Sequence, residues 1–131
     1  MLWQLKLYTK YALNECEKSN KVKMTSSSIT SIAGSSNFFE SAIISYSNNA
    51  KIELLGINKN LILKHGAVSK EVALSMAKNL HRLTGSHICA SITGIAGPGG
   101  GSKQKPVGTV YFSIYQKIDY KIKINNYKKI F

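Results

Sequence analysis

SKEVALSMAKNLHRLTGSHICASITGIAGPGGG, residues 69–101, sets a capped helix, an apolar strand and a glycine cluster in direct succession. The spacing predicts a helix over 69–83. Ser69 can accept from the amides of its first turn, Glu71 meets the positive end of the helix dipole, and Gly85 follows the last turn. Val72, Met76, Leu80 and Leu83 recur three and four residues apart, so they form one stripe that belongs to the core. Residues 88–93 then read as a strand, with Cys89 as a core thiol inside its apolar run.

Downstream, 94–106 is a glycine-rich loop, 107–115 a strand, and the alternating IDYKIKI (118–124) an edge strand. Upstream, 48–56 is helical through Ile52, Leu54 and Leu55 and closed by Gly56, and 57–66 is a second short element or loop. SAIISYS (41–47) is β-branched and reads as a buried strand; TSSSITSIAGSS (25–36) suits a short helix ended by Gly34. Leu2, Leu5, Tyr8, Ala12 and Cys16 outline a further helix over 2–18. Helices alternate with strands, so the expectation is a layered α/β domain.

A chain of 131 residues is one domain that buries about two thirds of its unfolded surface. Its 44% hydrophobic content and mean hydropathy of -0.10 suit a globular protein. No apolar run approaches the ~18 residues of a membrane span, which argues against a transmembrane protein. The opening MLWQLKLYTKYALNECEK has neither the apolar stretch nor the cleavage site of a secretory leader, so the expected location is the cytoplasm. Cys16 and Cys89 lack paired spacing, so neither a disulfide framework nor a metal cluster is expected.

A net charge of +12 and an isoelectric point near 9.8 raise the question of nucleic-acid binding. Two features count against it. Seventeen of the 18 basic residues are Lys, and Lys, Ile and Asn, whose codons are richest in A and T, together fill 42 positions. The excess also splits as +3 over 1–24, +5 over 25–112 and +4 over 113–131, a pattern of biased composition at the ends rather than of a stripe that follows phosphates.

Two segments carry chemistry. Half of the ten glycines sit in GIAGPGGG, at Gly94, Gly97, Gly99, Gly100 and Gly101, where backbone can approach a ligand and offer several N–H groups to an anion. The common phosphate-loop patterns do not fit: a Walker A loop needs Lys where Gly100 stands, and G-x-G-x-x-G from Gly97 needs glycine where Ser102 stands. The second segment, GSSNFFESAIISYSNNAK (34–51), gathers Ser35, Ser36, Tyr46 and Lys51. A serine becomes a useful nucleophile once a base takes its proton, and a lysine serves when burial keeps it neutral. An unperturbed lysine is neutral at pH 7 in only roughly one molecule in 2,500. Lys51 stands beside Ile52, Leu54 and Leu55, which can desolvate it.

GSSNFFESAIISYSNNAKIELLGI (34–57), HGAVSKEVALSMA (65–77) and ITGIAGPGGGSKQKPVGTVYFSI (92–114) resemble the successive signature blocks of the CinA C-terminal domain family, the nicotinamide-mononucleotide deamidases. The resemblance is collinear over about residues 25–115 and specific in YSN-x-AK and in TGIAGP-x-GG followed by KPVGTV. It implies a three-layer α/β/α single domain. The implied reaction converts nicotinamide mononucleotide to nicotinate mononucleotide and ammonia, by serine and lysine chemistry, without metal or other cofactor. Carried onto this sequence, it makes Ser36 the nucleophile, Lys51 the base, and Tyr46 a hydroxyl that orients the lysine or the amide. Thr93 and the backbone at Gly94, Gly97, Gly99 and Gly100 hold the substrate.

The sequence departs from the family pattern twice. The A-E-S-C-T-G-G block falls on EKSNKVK (17–23), where only Ser19 coincides, as a second candidate serine, and Val22 and Lys23 replace the glycines. No G-D-R block follows KPVGTV, so the arginine expected to meet the anionic substrate has no counterpart in IDYKIKINNYKKIF (118–131); Lys103 and Lys105 are the nearby charges that stand in for it. A working deamidase therefore competes with a member that keeps the fold and little catalysis, and a basic nucleic-acid-binding module is a third reading. The expected partner is a small nucleotide, not a membrane; homo-oligomerisation is left open.

Overall fold

The computed structural model describes residues 24–131. They fall into two compact units, 24–42 with Phe131, and Ile43–Ile130. The helix expected over 2–18 lies outside the described residues, as does Ser19.

In the first unit, helix α1 (Met24–Thr30) is followed by a 3-10 turn (Ser35–Asn37). The short helix expected within 25–36 and ended by Gly34 thus stops earlier, at Thr30, and a separate 3-10 turn follows Gly34. Thr30 Oγ1 donates back to the Ser26 carbonyl at 3.0 Å and Ser31 Oγ to that of Ser28 at 2.9 Å, and such hydroxyl bonds compete with continuation of the helix. Gly34, at φ 80, starts the 3-10 turn.

The second unit begins with irregular extended chain and no strand where 41–47 predicted one. Helix α2 (Asn48–Leu55) starts at Ser47, whose hydroxyl accepts from the Ala50 amide at 3.0 Å, and ends at left-handed Gly56. Helix α3 (Lys59–His65) follows the Asn58 cap and makes 57–66 a helix rather than a loop. Helix α4 (Lys70–Thr84) carries the predicted cap, with Ser69 accepting from the Val72 amide at 3.3 Å and Gly85 closing the last turn. Among the described residues, no helix is long and apolar enough to cross a membrane.

Strands β1 (Ile88–Gly94), β2 (Thr109–Ile118) and β3 (Lys121–Ile130) form an antiparallel sheet in that order. Ser91 lies opposite Ser113, and Ser113 opposite Asn126. The edge strand expected over 118–124 is present as β3 but begins only at Lys121: Ile118 ends β2, and Asp119 and Tyr120 are the turn between them, with Asp119 at φ 53, a conformation that Asp and Asn tolerate better than most residues.

The α/β class holds, with Ile43–Ile130 supplying a sheet and a helical layer. Helix α4 lies over the face that carries Cys89, Ser91, Ser113 and Tyr115. The Ser91 hydroxyl donates to the Ala73 carbonyl, and the His81 ring packs 5.2 Å from that of Tyr115. Ala73 and Ala77 of the helix and Ser113 of the sheet are wholly buried, so small side chains set this approach. Cys89 is buried, as expected.

On its other side α4 joins a cluster of Leu55, Ile57, Ile62, Val72 and Met76. Each large aliphatic side chain buried there contributes on the order of 1.5–3 kcal/mol. The predicted stripe runs through Val72, Met76 and Leu80 but stops short of Leu83, which is 60% exposed because the last turn passes the edge of the cluster. Asn79 of α4 donates to the carbonyls of Leu55 at 2.7 Å and Gly56 at 3.0 Å, fixing the end of α2 against α4. That bond places the helix bearing Lys51.

Candidate functional site

Lys51 sits on the second turn of α2 and is only 6% exposed. Its Nζ donates to the carbonyls of Ser45 at 2.9 Å and Tyr46 at 3.0 Å. Ser47 caps α2, so the chain before it turns back over the first helical turn and brings those two carbonyls to the amine. No carboxylate pairs with Lys51 among the described residues, and desolvation by burial lowers its pKa from the usual 10.5.

The side chain of Tyr46 is 92% exposed. Lys51 is held by the Tyr46 main chain; of the two roles read for the Tyr46 hydroxyl, orienting the lysine or the amide, the first is filled here by main-chain carbonyls. The Ser45 hydroxyl, buried beside this arrangement, has no hydrogen-bond partner among the described residues. Ser36 is in the 3-10 turn of the first unit, exposed. Tyr46, Lys51, Thr93 and the glycines belong to Ile43–Ile130.

A second group gathers where β1 runs into the glycine loop. Thr93 is buried and its Oγ1 donates to the Ala67 carbonyl at 2.9 Å, so the hydroxyl ties β1 to the α3–α4 connector. Gly94 ends β1 under Val110: a Cβ there would lie 3.0 Å from Val110 Cγ2 and 3.1 Å from the Thr109 carbonyl. The loop is closed at its base by Ile95 N–H to the Thr109 carbonyl at 2.9 Å and Gly108 N–H to the Ile95 carbonyl at 2.8 Å. Gly97, at φ 77, packs so closely on Val107 that a Cβ would come within 2.6 Å of Val107 Cγ1. Gly99 and Gly100 are exposed at the tip. The amides of Ala96, Gly97, Gly99, Gly100 and Gly101 donate to no acceptor among the described residues.

Sequence reasoning missed the part played by Lys105. The sequence reading makes it a point charge partly replacing the missing arginine, but its Nζ donates to the carbonyls of His65 and Val68, both at 2.8 Å. The partners are 40 and 37 residues away in sequence, so no local pattern could have signalled the contact. Lys103 is exposed. Among the described residues no group of three or more His, Cys, Asp or Glu is placed to hold a metal ion.

The described residues thus hold one desolvated amine, at Lys51, and one glycine-rich loop. The model of the CinA C-terminal domain matches residues 23–129. A CinA-like protein of Prochlorococcus marinus subsp. pastoris is 54% identical over 108 residues, 82% of this chain and 24% of that protein. A CinA-like protein of Thermotoga maritima is 45% identical over 93 residues, 71% of this chain and 23% of its own length. The chain thus spans about a quarter of the curated relatives it matches. Among solved structures, the competence/damage inducible protein CihA from Agrobacterium tumefaciens superposes with a TM-score of 0.70 at 35% identity, covering 77% of this chain and 61% of that one. A competence or damage-inducible protein from Enterobacter asburiae reaches a TM-score of 0.74 over 95% of this chain and 81% of its own, at 21% identity, a likeness of fold. With the family model covering most of the sequence and the fold recurring in these structures, the chain belongs to the CinA C-terminal domain family.

Proposed function

We propose that this chain hydrolyses the carboxamide of nicotinamide mononucleotide to nicotinate mononucleotide and ammonia. The observation that carries this reading is Lys51, a buried lysine with a lowered pKa and no carboxylate beside it. A lysine kept only for charge is solvated or paired; one in a desolvated seat is shifted toward the neutral amine and is suited to exchange a proton. In the proposed reaction Lys51, as a neutral amine, is the base that takes the nucleophile's proton as its oxygen attacks the carboxamide carbon; the serine that the resemblance implies for this step is Ser36. The same proton passes to the departing nitrogen, which leaves as ammonia. Water then opens the acyl-serine: Lys51 takes one proton from the water and passes it to the serine oxygen as the acyl–oxygen bond breaks, and the acid so formed leaves as nicotinate mononucleotide, its own proton going to solvent. The glycine-loop amides receive the phosphate or the developing oxyanion. A single-domain organisation and a cytoplasmic location belong to the same proposal.

Ammonia release by the purified protein tests it. Wild type should deaminate nicotinamide mononucleotide saturably, and Lys51→Ala and Ser36→Ala should each abolish turnover while leaving the fold intact. Substantial turnover by either variant overturns the assignment of that residue. A second reading, a member that binds the nucleotide without turning it over, is favoured by Val22 and Lys23 at the positions where the family pattern has glycine. Turnover within tenfold of a typical enzyme's roughly 10 s⁻¹ refutes it.

A further inference from the structure

Four consecutive carbonyls, that of His65 at the end of α3 and those of Gly66, Ala67 and Val68 in the α3–α4 connector, each accept from a side chain. His65 and Val68 accept from the Lys105 ammonium, Gly66 from Ser69 Oγ at 2.9 Å, and Ala67 from Thr93 Oγ1. Two of these donors come from either end of the glycine-loop region: Thr93 from the end of β1, Lys105 from the far limb. Lys105 is itself anchored in the loop, since its carbonyl accepts from the Ser102 amide at 2.8 Å and its amide donates to Ser102 Oγ at 3.1 Å. Gly66, at φ 79, lies directly beneath the ammonium, which would be in ordinary contact, 3.5 Å, with a Cβ at that position. Lys105 forms no ion pair among the described residues, so it brings an unneutralised charge to the limb that follows the free amides of Ala96, Gly97, Gly99, Gly100 and Gly101.

We propose that Lys105 is a positioning residue of the anion cradle: its ammonium clamps the far limb of the glycine loop to the α3–α4 connector, so that the loop amides are held ready for the phosphate of a mononucleotide. The inference deepens the proposed deamidase reading and rests on it for the identity of the ligand. The clamp itself rests on the geometry alone. Two charged hydrogen bonds replace a flexible tether, and the loop meets its ligand without first being ordered.

The test uses the full chain, with Lys105→Met and Lys105→Arg, amide exchange as one readout and titration with inorganic phosphate and with nicotinamide mononucleotide as the other. Lys105→Met should speed exchange of the hydrogen-bonded Ser102 and Gly108 amides by about tenfold or more and weaken both probes by about tenfold, as expected for losing bonds to a charged group. The amides of α4 should keep their protection, which separates a loosened loop from an unfolded protein. Lys105→Arg, which can donate to both carbonyls, should stay within about threefold of wild type on both readouts. Unchanged loop exchange or unchanged affinity in Lys105→Met overturns the proposal, as does an arginine variant no better than methionine. If the wild-type amides of 96–101 ignore both probes, the cradle of the deamidase reading fails and this role of Lys105 in ligand binding fails with it, whereas ligand binding without ammonia release counts against the reaction alone.

Discussion

The Lys51 ammonium donates to the main-chain carbonyl of Tyr46 at 3.0 Å, with the Ser45 carbonyl as its second partner. Because both acceptors are backbone, no side-chain substitution at 45 or 46 removes them. Tyr46→Phe is therefore expected to leave the pH midpoint of deamidation where it lies in wild type, even if turnover falls. A midpoint moved by about one unit or more would show that the phenol takes part in setting the lysine.

The lowered pKa of Lys51 has a defined sign for activity. A base must be neutral, so the rate should rise with pH and level off above a midpoint below 10.5. Lys51→Arg should be inactive across the whole range, because a guanidinium keeps its proton. A pH–rate profile of both proteins checks this.

The same shift acts on stability. Folding depresses the affinity of Lys51 for its proton, so the unfolded chain binds more protons between the lowered native pKa and 10.5. The cost of burying the charge is fully present below the native pKa and fades as pH rises through that window. Relative to Lys51→Met, which carries no such charge, wild type should gain stability as pH climbs toward 10.5. Urea denaturation at a series of alkaline pH values measures the difference.

Ser69 holds both ends of a junction, accepting from the Val72 amide and donating to the Gly66 carbonyl. Ser69→Ala removes the α4 cap and leaves buried backbone groups without a partner. The expected loss is about 1–3 kcal/mol, read from the shift of the denaturation midpoint.

Gly97→Ala would drive a methyl into Val107 and strain a backbone at φ 77. The loop rather than the core should yield, so proteolysis within 95–108 should accelerate while the cooperative unfolding transition is kept. Adding Val107→Ala should relieve the collision and leave only the backbone strain, a partial recovery measurable in the same assay.

Much of α4 was legible because its information is local: Ser69 and Gly85 mark its ends, and Val72, Met76 and Leu80 mark its buried side. Gly56 announced the end of α2 in the same way. The strand expected over 41–47 failed because β-branched residues specify an extended backbone but not a neighbour to pair with. The carbonyls of Ser45 and Tyr46, which a ladder would have used, go to Lys51 instead, and Ile44 turns outward. In the site, the sequence singled out Lys51 from its apolar neighbours, but it could show neither that main chain grips the amine nor that Lys105 reaches across to the connector. Both depend on groups that carry no side-chain signature.

The alanines and serines between α4 and the hairpin of β1 and β2 also bear on how this chain can be recombined with its relatives. Ala73, Ala77 and Ser113 meet with no exposed surface, and Ser91 reaches across to Ala73. A larger residue at any of them would have to be matched by a smaller one on the opposite element. A chimera that takes helix and hairpin from one parent inherits a matched clearance, whereas a crossover at Ser86 or His87 joins two halves cut to different gauges. Exchange between relatives should therefore succeed when residues 69–118 travel as a single block.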